Sequence, residues 1–127
     1  FPPAWAIGRK ALDDVSICGT TVPKGGIVLL SPYVTHRDAR WFPEPEAFRP
    51  ERWMSPDDTR PKFAYFPFGG GTRVCIGERF AQAEGVLLLA TIAQSLRFTT
   101  VAGHPVERHA QLTLRPRHGI RMRVAHR

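Results

Sequence analysis

The spacing of apolar residues predicts one long helix between Gly77 and Leu96. Positions three and four apart share a face of a helix, and here such positions are repeatedly apolar. The main stripe consists of Phe80, Ala83, Leu87 and Ala90, and it is widened by Val86, Leu88, Leu89 and Ile92. Because a helix that is apolar nearly all round belongs in a core, we expect this one to be buried. A chain of 127 residues can hardly bury it alone, which indicates that further chain is missing.

Shorter runs of β-prone residues predict strands on both sides of this helix. Before it, the predicted strands are Ala4 to Arg9, Val15 to Cys18 and Ile27 to Leu30. After it, strands are predicted at Arg97 to Val101, at Gln111 to Leu114, and at the alternating apolar positions 120, 122 and 124. A short helix is expected over Thr35 to Arg40, with Thr35 or Ser31 near its start. The pattern as a whole favours an α+β class with a small antiparallel sheet before the helix and strands after it.

The stretch from Trp41 to Pro67 combines many prolines with many aromatic residues. Prolines at positions 43, 45, 50, 56, 61 and 67 remove backbone donors and restrict the preceding residues, so regular helix or sheet is not expected. Disordered linkers are poor in aromatic residues, whereas this stretch is rich in them. We therefore predict an ordered, packed loop, and long ordered loops are usually functional.

The chain is basic, with a formal net charge of +7 that comes mainly from arginine. Such a charge is compatible with a solvated surface, and also with docking of an acidic partner through long-range attraction. Binding of nucleic acid lacks support because no helix-turn-helix, zinc finger or aromatic stacking platform is visible. Two cysteines are too few for a disulfide scaffold, so a reducing cytoplasm is the expected location.

The ends of the sequence favour a fragment of a larger protein. The chain does not begin with methionine, and its first residues have neither the basic nor the apolar part of a signal peptide. The longest apolar run, Gly85 to Ala93, is too short to cross a bilayer. We treat residues 1–127 as a single partial domain.

The segment from Phe68 to Gly77, which we call the Cys loop, reads FGGGTRVCIG. Its glycines allow positive φ angles and a close approach of the backbone to a ligand. Cys75 comes just before the predicted helix, where unsatisfied N–H groups and the helix dipole favour negative charge. We therefore predict that Cys75 serves as a thiolate, either as a nucleophile or as a metal ligand.

Several uses of such a thiolate are disfavoured by the surrounding residues. A nucleophile needs a general base, and no histidine lies near Cys75 in the sequence. Zinc needs four ligands, but Cys75 has no CxxC partner, and the five histidines have no metal-binding spacing and are expected at the surface or in hydrogen bonds. Thr72-Arg73 does not match a phosphate-binding loop, and the glycines miss the dinucleotide pattern. The remaining use is a single axial bond to haem iron.

The Cys loop resembles the haem-ligand signature of the cytochrome P-450 superfamily. Phe68, Gly71, Arg73, Cys75 and Gly77 fill the fixed positions of the pattern FxxGxRxCxG. Five specified residues in ten make this signal far more specific than a lone glycine motif.

The resemblance extends over the rest of the chain. Phe48 to Trp53 is similar to the PERF element of the family, with Trp53 where phenylalanine is usual. Pro2-Pro3 followed by Arg9 resembles the segment after the ExxR helix of the family. His36-Arg37-Asp38 is similar to its HRD-like turn, and the proline-rich stretch is similar to its meander.

The resemblance implies a role for each matched residue. Cys75 would be the catalytic residue and the axial ligand of the iron of haem b. Arg73 and Arg9 would pair with the haem propionates, since guanidinium groups suit carboxylates. Phe68 would shield the thiolate, and Gly77 is counted with the cofactor-binding residues. The substrate-lining positions implied by the resemblance are Ala4, Trp5, Leu112 and Thr113.

The family's fold and activity follow as expectations. The fold would be the C-terminal part of a mainly helical domain: a small antiparallel sheet, the meander, the Cys loop, one long buried helix and C-terminal strands. The activity would insert one oxygen atom from O₂ into a small organic substrate. Electrons would come from an acidic ferredoxin, flavodoxin or reductase.

Two parts of the family pattern are absent from this sequence. The chain has neither the ExxR motif nor the oxygen-activating helix, so Arg52 lacks the partners of its structural Glu-Arg-Arg cluster, and we expect the isolated chain to be inactive. Because the oxygen-activating helix is absent from this sequence, a peroxygenase or an isomerase of the family, which would use the same thiolate, stays an alternative to a monooxygenase. Outside the family, the alternative is a haem-free basic module that binds nucleic acid or an acidic protein. At single residues, Arg9 is compatible with a surface arginine and Phe68 with a plain core residue.

Overall fold

The computed structural model describes residues 1–55 and 59–127. The chain forms two compact units, residues 1–69 and residues 70–127, and each is described by itself.

The first unit begins with two antiparallel strand pairs. Strand β1 (Ile7–Lys10) pairs with β4 (Ile27–Leu30), and β2 (Val15–Ile17) pairs with β3 (Thr20–Val22). The predicted strand from residue 15 ends one residue early because Cys18 has φ 48° and Gly19 has φ 80°. Two successive residues with positive φ form the tight loop whose twist matches that of a hairpin.

A short helix follows, but it lies earlier than the sequence predicts. Helix α1 spans Pro32–Thr35, and the Ser31 hydroxyl caps it by accepting a hydrogen bond from the Val34 N–H at 3.3 Å. The predicted helix from Thr35 to Arg40 is wrong. Beyond α1, the Asp38 carboxylate accepts hydrogen bonds from the Arg40 backbone N–H and guanidinium, which favours a turn over a further helix. The same contacts with Arg40 lower the pKa of Asp38.

The proline-rich stretch is irregular and packed within the described residues. A 3₁₀-helix spans Pro50–Trp53, and the remainder of the stretch consists of turns and extended chain. Among the described residues of the unit, the buried apolar side chains are Phe42 and Ala64, together with Pro2 and Pro32. Three rings pair with Phe42, those of His36, Trp53 and Tyr65, and the Phe66 ring pairs with His36. The prediction of an ordered loop is confirmed for residues 41–55 and 59–67, and Pro56 lies outside the described residues.

Arg52 holds this loop together from the inside. Its guanidinium donates hydrogen bonds to the backbone carbonyls of Pro43 at 2.9 Å, Glu44 at 3.1 Å, Ala47 at 3.4 Å and Arg49 at 3.2 Å. The carbonyls of Glu44 and Arg49 also accept a backbone N–H, from Ala47 and Arg52 respectively. The Arg52 side chain therefore adds to the few backbone hydrogen bonds that the prolines leave in this segment.

The second unit contains the long helix and two further strand pairs. Helix α2 spans Glu78–Ser95, one residue shorter at each end than predicted. Strand β5 (Leu96–Thr100) pairs with β8 (Met122–His126), and β6 (Arg108–Ala110) pairs with β7 (Leu114–Pro116).

One predicted strand of this unit is wrong. Residues 111–113 form the loop between β6 and β7, closed by a hydrogen bond from the Gln111 N–H to the Thr113 carbonyl at 3.3 Å. The alternation of Leu112 and Leu114 therefore reflects a loop residue beside a strand residue. Strand β6, with the sequence Arg-His-Ala, has no apolar alternation and gave no signal.

Helix α2 is not buried by the chain that the structure describes. None of its eighteen residues is buried, and Phe80 is 71% exposed and Leu89 is 72% exposed. The expected helix is therefore confirmed, whereas its expected burial is not found within these residues. In the described ranges, no helix combines the length and the apolarity that crossing a membrane requires.

The role of Arg52 can be measured in the complete protein that contains this chain. We expect Arg52→Ala to lower the free energy of unfolding by about 1.5–3 kcal/mol, because carbonyls held by a charged donor lose their partner. Urea denaturation is the measurement. The control is Arg49→Ala, which breaks only the exposed pair with Glu44 and should cost under about 1 kcal/mol. Equal losses for the two variants would contradict the assigned role.

Candidate functional site

Cys75 lies in the short segment that joins a 3₁₀-helix, Gly71–Arg73, to the first turn of α2. It is an exposed, free thiol. Its carbonyl accepts a hydrogen bond from the Glu78 N–H at 3.3 Å, which ties it to the start of the helix. The side chain therefore reaches solvent, while its backbone is fixed to a regular element.

Gly77 leaves space beside the Cys75 sulfur, whereas Gly71 shapes the backbone earlier in the Cys loop. Gly71 has φ 68°, and a Cβ built there would meet nothing within 4 Å. A Cβ on Gly77 would lie 3.8 Å from the Cys75 Sγ, in van der Waals contact. Because Gly77 carries no side chain, that flank of the sulfur stays open. Gly71 in turn lets the chain turn sharply in a conformation that residues with a Cβ adopt reluctantly.

The electrostatics around Cys75 favour an anion. Helix α2 begins at Glu78, and no side-chain hydrogen bond caps its N-terminus. The positive end of the helix dipole is therefore close to the sulfur in the chain. Arg73, two residues earlier, is exposed and adds a positive charge to the same segment. Both features bring positive potential to the segment that carries Cys75.

The donor set limits which metal centre this sulfur could serve. Within residues 1–55 and 59–127, no three His, Cys, Asp or Glu side chains are grouped so that they could hold a metal ion. A zinc site needs such a group, whereas a porphyrin supplies four ring nitrogens and needs only one axial protein ligand. An exposed single thiol with open flanks fits the axial position of haem iron.

The other predicted cofactor residues lie in the first unit. Arg9 is half-buried on β1 opposite Val28, and its guanidinium donates to the Gly8 carbonyl at 2.9 Å. Phe68 is half-buried at the end of the unit. Arg73, Cys75 and Gly77 belong to the second unit, so the pairing of Arg9 with a haem propionate beside them stays a prediction.

The predicted substrate-lining residues lie at two separate places. In the first unit, Ala4 and Trp5 are exposed, and the Trp5 carbonyl accepts a hydrogen bond from the Ser31 hydroxyl at 2.8 Å. In the second unit, Leu112 is 96% exposed, and the Thr113 hydroxyl accepts a hydrogen bond from the Arg115 guanidinium at 2.9 Å. Because these side chains are not buried, a ligand could reach them, and their role in lining a substrate site stays a prediction.

His36 makes a contact near the Cys loop that sequence reasoning missed. Its Nε2 accepts a hydrogen bond from the Phe66 N–H at 2.9 Å, two residues before Phe68. Burial, assisted by the positive charges of the N-terminus and Arg37, lowers the pKa of His36 from 6.5 to about 4. The only signal in the sequence was the His36-Arg37-Asp38 triplet, which carries no indication of a partner thirty residues away.

Comparison with known proteins gives a consistent result over nearly the whole chain. The sequence pattern of the cytochrome P450 family matches residues 1–122. The protein described as putative cytochrome P450 132 of Mycobacterium tuberculosis is 43% identical over 120 residues, which are 94% of this chain and 26% of that protein. Cyclooctatin synthase of Streptomyces melanosporofaciens is 40% identical over 116 residues, 90% of this chain and 25% of that protein.

A solved structure shows the same arrangement of the backbone. The retinoic acid-bound cyanobacterial CYP120A1 superposes with a TM-score of 0.92 at 34% identity, and the match covers 98% of this chain and 30% of that one. The chain thus spans about a quarter of the length of the curated relatives that it matches.

The conformation of Gly71 yields a prediction for the Cys loop. In the complete protein, Gly71→Ala should lower the free energy of unfolding by about 1–2 kcal/mol, because the new Cβ meets no atom but the positive φ is costly. Gly71→Asn is the matched control and should cost less, since asparagine tolerates this conformation. Denaturant titration of both variants is the measurement. An alanine variant with an unchanged free energy of unfolding would show that no left-handed residue is needed at this position.

Proposed function

The chain belongs to the cytochrome P450 family, and from that premise we propose that it provides the proximal part of a haem-thiolate monooxygenase, with Cys75 as the axial ligand. The observation that carries this proposal is the exposed, free thiol of Cys75 at the start of α2. Its location combines an open face, for a planar cofactor, with a dipole that stabilises the anion.

The residues of the Cys loop would act on the sulfur and on the propionates. Cys75 would bond to the iron of haem b, and Gly77 would let the macrocycle approach by leaving one flank of the sulfur open. Arg73 and Arg9 would neutralise the propionates, and Phe68 would shield the thiolate from water. When bound, haem with a thiolate ligand supplies the means to cleave the O–O bond of O₂.

Substrate and oxidant would meet on the side of the haem away from Cys75. The substrate is proposed to be a small organic molecule, lined by Ala4, Trp5, Leu112 and Thr113, and one oxygen atom from O₂ would enter it. Ala4, Trp5 and Leu112 would offer mainly apolar surface and Thr113 one hydroxyl, a combination that would suit an organic substrate.

The electron donor is proposed to be an acidic ferredoxin, flavodoxin or reductase. The net charge of +7 gives the chain a field that attracts an acidic protein. Arg73 and Arg79, on either side of Cys75 in the sequence, are both exposed. Charge complementarity of this kind would steer the encounter and orient the donor toward the thiolate.

The ligand assignment is tested with the complete protein loaded with haem. We expect Cys75→Ala to abolish the absorbance that marks the carbonyl complex of a reduced haem-thiolate, because alanine offers no ligand atom. Cys18→Ala is the control, since Cys18 is also an exposed free thiol, at the tip of the β2–β3 hairpin. A thiolate-type spectrum that survives Cys75→Ala, or that Cys18→Ala removes, would refute the assignment.

The 127-residue chain by itself should bind haem poorly and show no turnover. Helix α2 exposes its apolar side chains here, and only one face of the cofactor would be covered. Titration of the isolated chain with haem, followed by its Soret absorbance, is the measurement. Stable one-to-one uptake together with oxygenation of a substrate would overturn this expectation.

A further inference from the structure

The hydrogen bond between His36 and Phe66 clamps the start of the turn that leads into the Cys loop. Phe66 is held on both sides: its N–H donates to His36 Nε2 at 2.9 Å, and its carbonyl accepts from the Gly69 N–H at 3.0 Å. The second bond closes a four-residue turn with Pro67 in its second position, where proline pre-sets the backbone. Proline has no N–H, so Pro67 adds no backbone donor of its own.

The imidazole of His36 is held in place by aromatic rings. Its centroid lies 4.6 Å from that of Tyr65, 5.4 Å from that of Phe66 and 6.3 Å from that of the buried Phe42. The rings on Phe66 and Phe42 meet it edge-on, the orientation that aromatic pairs prefer. The direction of the Nε2 lone pair is therefore set by packing and not by the hydrogen bond alone.

The surroundings also keep the ring neutral. Burial among these rings is the main cause of the lowered pKa of His36, and the N-terminal amine and Arg37 act in the same direction. Arg37 is in turn paired with Glu46, and burial raises the pKa of the adjacent Tyr65, which keeps its phenol neutral. A neutral histidine that accepts at Nε2 carries its proton on Nδ1. Protonation would place a hydrogen on Nε2, so this atom could no longer accept from the Phe66 N–H and the hydrogen bond would be lost.

We infer that His36 is a positioning residue for the axial thiolate: as a neutral acceptor it fixes the Phe66–Gly69 turn, and through that turn the course of the chain into the Cys loop. Cys75 follows Phe66 by nine positions, and three of the residues between them, Gly69, Gly70 and Gly71, are glycines. A loop so rich in glycine has little stiffness of its own, so its course depends on how its two ends are held: by this turn at the start, and by the bond from the Glu78 N–H to the Cys75 carbonyl at the end. This inference rests on the proposed haem ligation, whereas the first readout described below does not.

The test compares two variants in the complete, haem-loaded protein. His36→Phe keeps an aromatic ring but removes the acceptor, whereas His36→Gln keeps an acceptor near the position of Nε2 but removes the ring's titration. The first readout is hydrogen exchange at the Phe66 amide, which does not depend on haem chemistry. We expect His36→Phe to speed this exchange roughly tenfold, the effect of losing one hydrogen bond, and His36→Gln to restore slow exchange.

The second readout is the fraction of reduced, carbonyl-bound protein that has a thiolate-type spectrum. We expect that fraction to fall in His36→Phe and to recover in His36→Gln. If Cys75→Ala leaves the spectrum unchanged, the proposed ligation fails. The exchange rate of the Phe66 amide still tests whether His36 fixes the turn. Equal defects in both variants would show that the ring matters only for packing, and wild-type exchange in His36→Phe would overturn the inference outright.

A pH titration of the unmodified protein gives an independent check that needs no variant. Because the pKa of His36 is lowered from 6.5 to about 4, the neutral ring stabilises the fold above about pH 6.5, and this contribution is lost as the pH falls toward 4. Nuclear magnetic resonance can follow both the protonation of the His36 ring and the exchange of the Phe66 amide. We expect the amide to lose its protection at the pH at which the ring protonates, near pH 4. Protection that survives full protonation of His36 would contradict the inference.

Discussion

The proposed role of Cys75 requires two conditions at once: the sulfur must be reachable, and positive potential must lie beside it. Gly77 leaves one flank of the sulfur bare, and the start of α2 provides the positive potential. These demands conflict in most proteins, because side chains that lend charge also occupy space. Placing Cys75 directly before a helix resolves the conflict, since the helix contributes its charge through backbone groups.

The first unit shows how a chain without regular structure can still be rigid. Prolines deprive the meander of backbone ladders, and single side chains replace them: Arg52 gathers four carbonyls, and His36 receives one N–H. Asp38 does the same for the turn after α1. Each of these bonds joins a side chain to the backbone, so the backbone is satisfied although little of it is helix or strand.

The features that could be predicted from the sequence are those that depend on residues close together in the chain. Helix α2 was predicted within one residue at each end because its apolar periodicity persists over five turns, and Cys75 was found because its neighbours are specified at short spacing. The prediction of a helix over Thr35 to Arg40 was wrong because the turn-forming contacts of Asp38 override a weak helix propensity. Strand β6 gave no signal because it is defined by its pairing with β7 and not by a pattern in its own sequence. The His36 contact spans thirty residues, and no rule for neighbouring positions reaches that far.

Helix α2 has a consequence for how this polypeptide behaves in solution. Several of its apolar side chains are exposed to water, among them Phe80, Val86, Leu87 and Leu89. Exposed apolar side chains of this kind attract other apolar surfaces without regard to their identity. The chain handled alone is therefore prone to self-association, and its solubility is governed by this helix more than by its arginines.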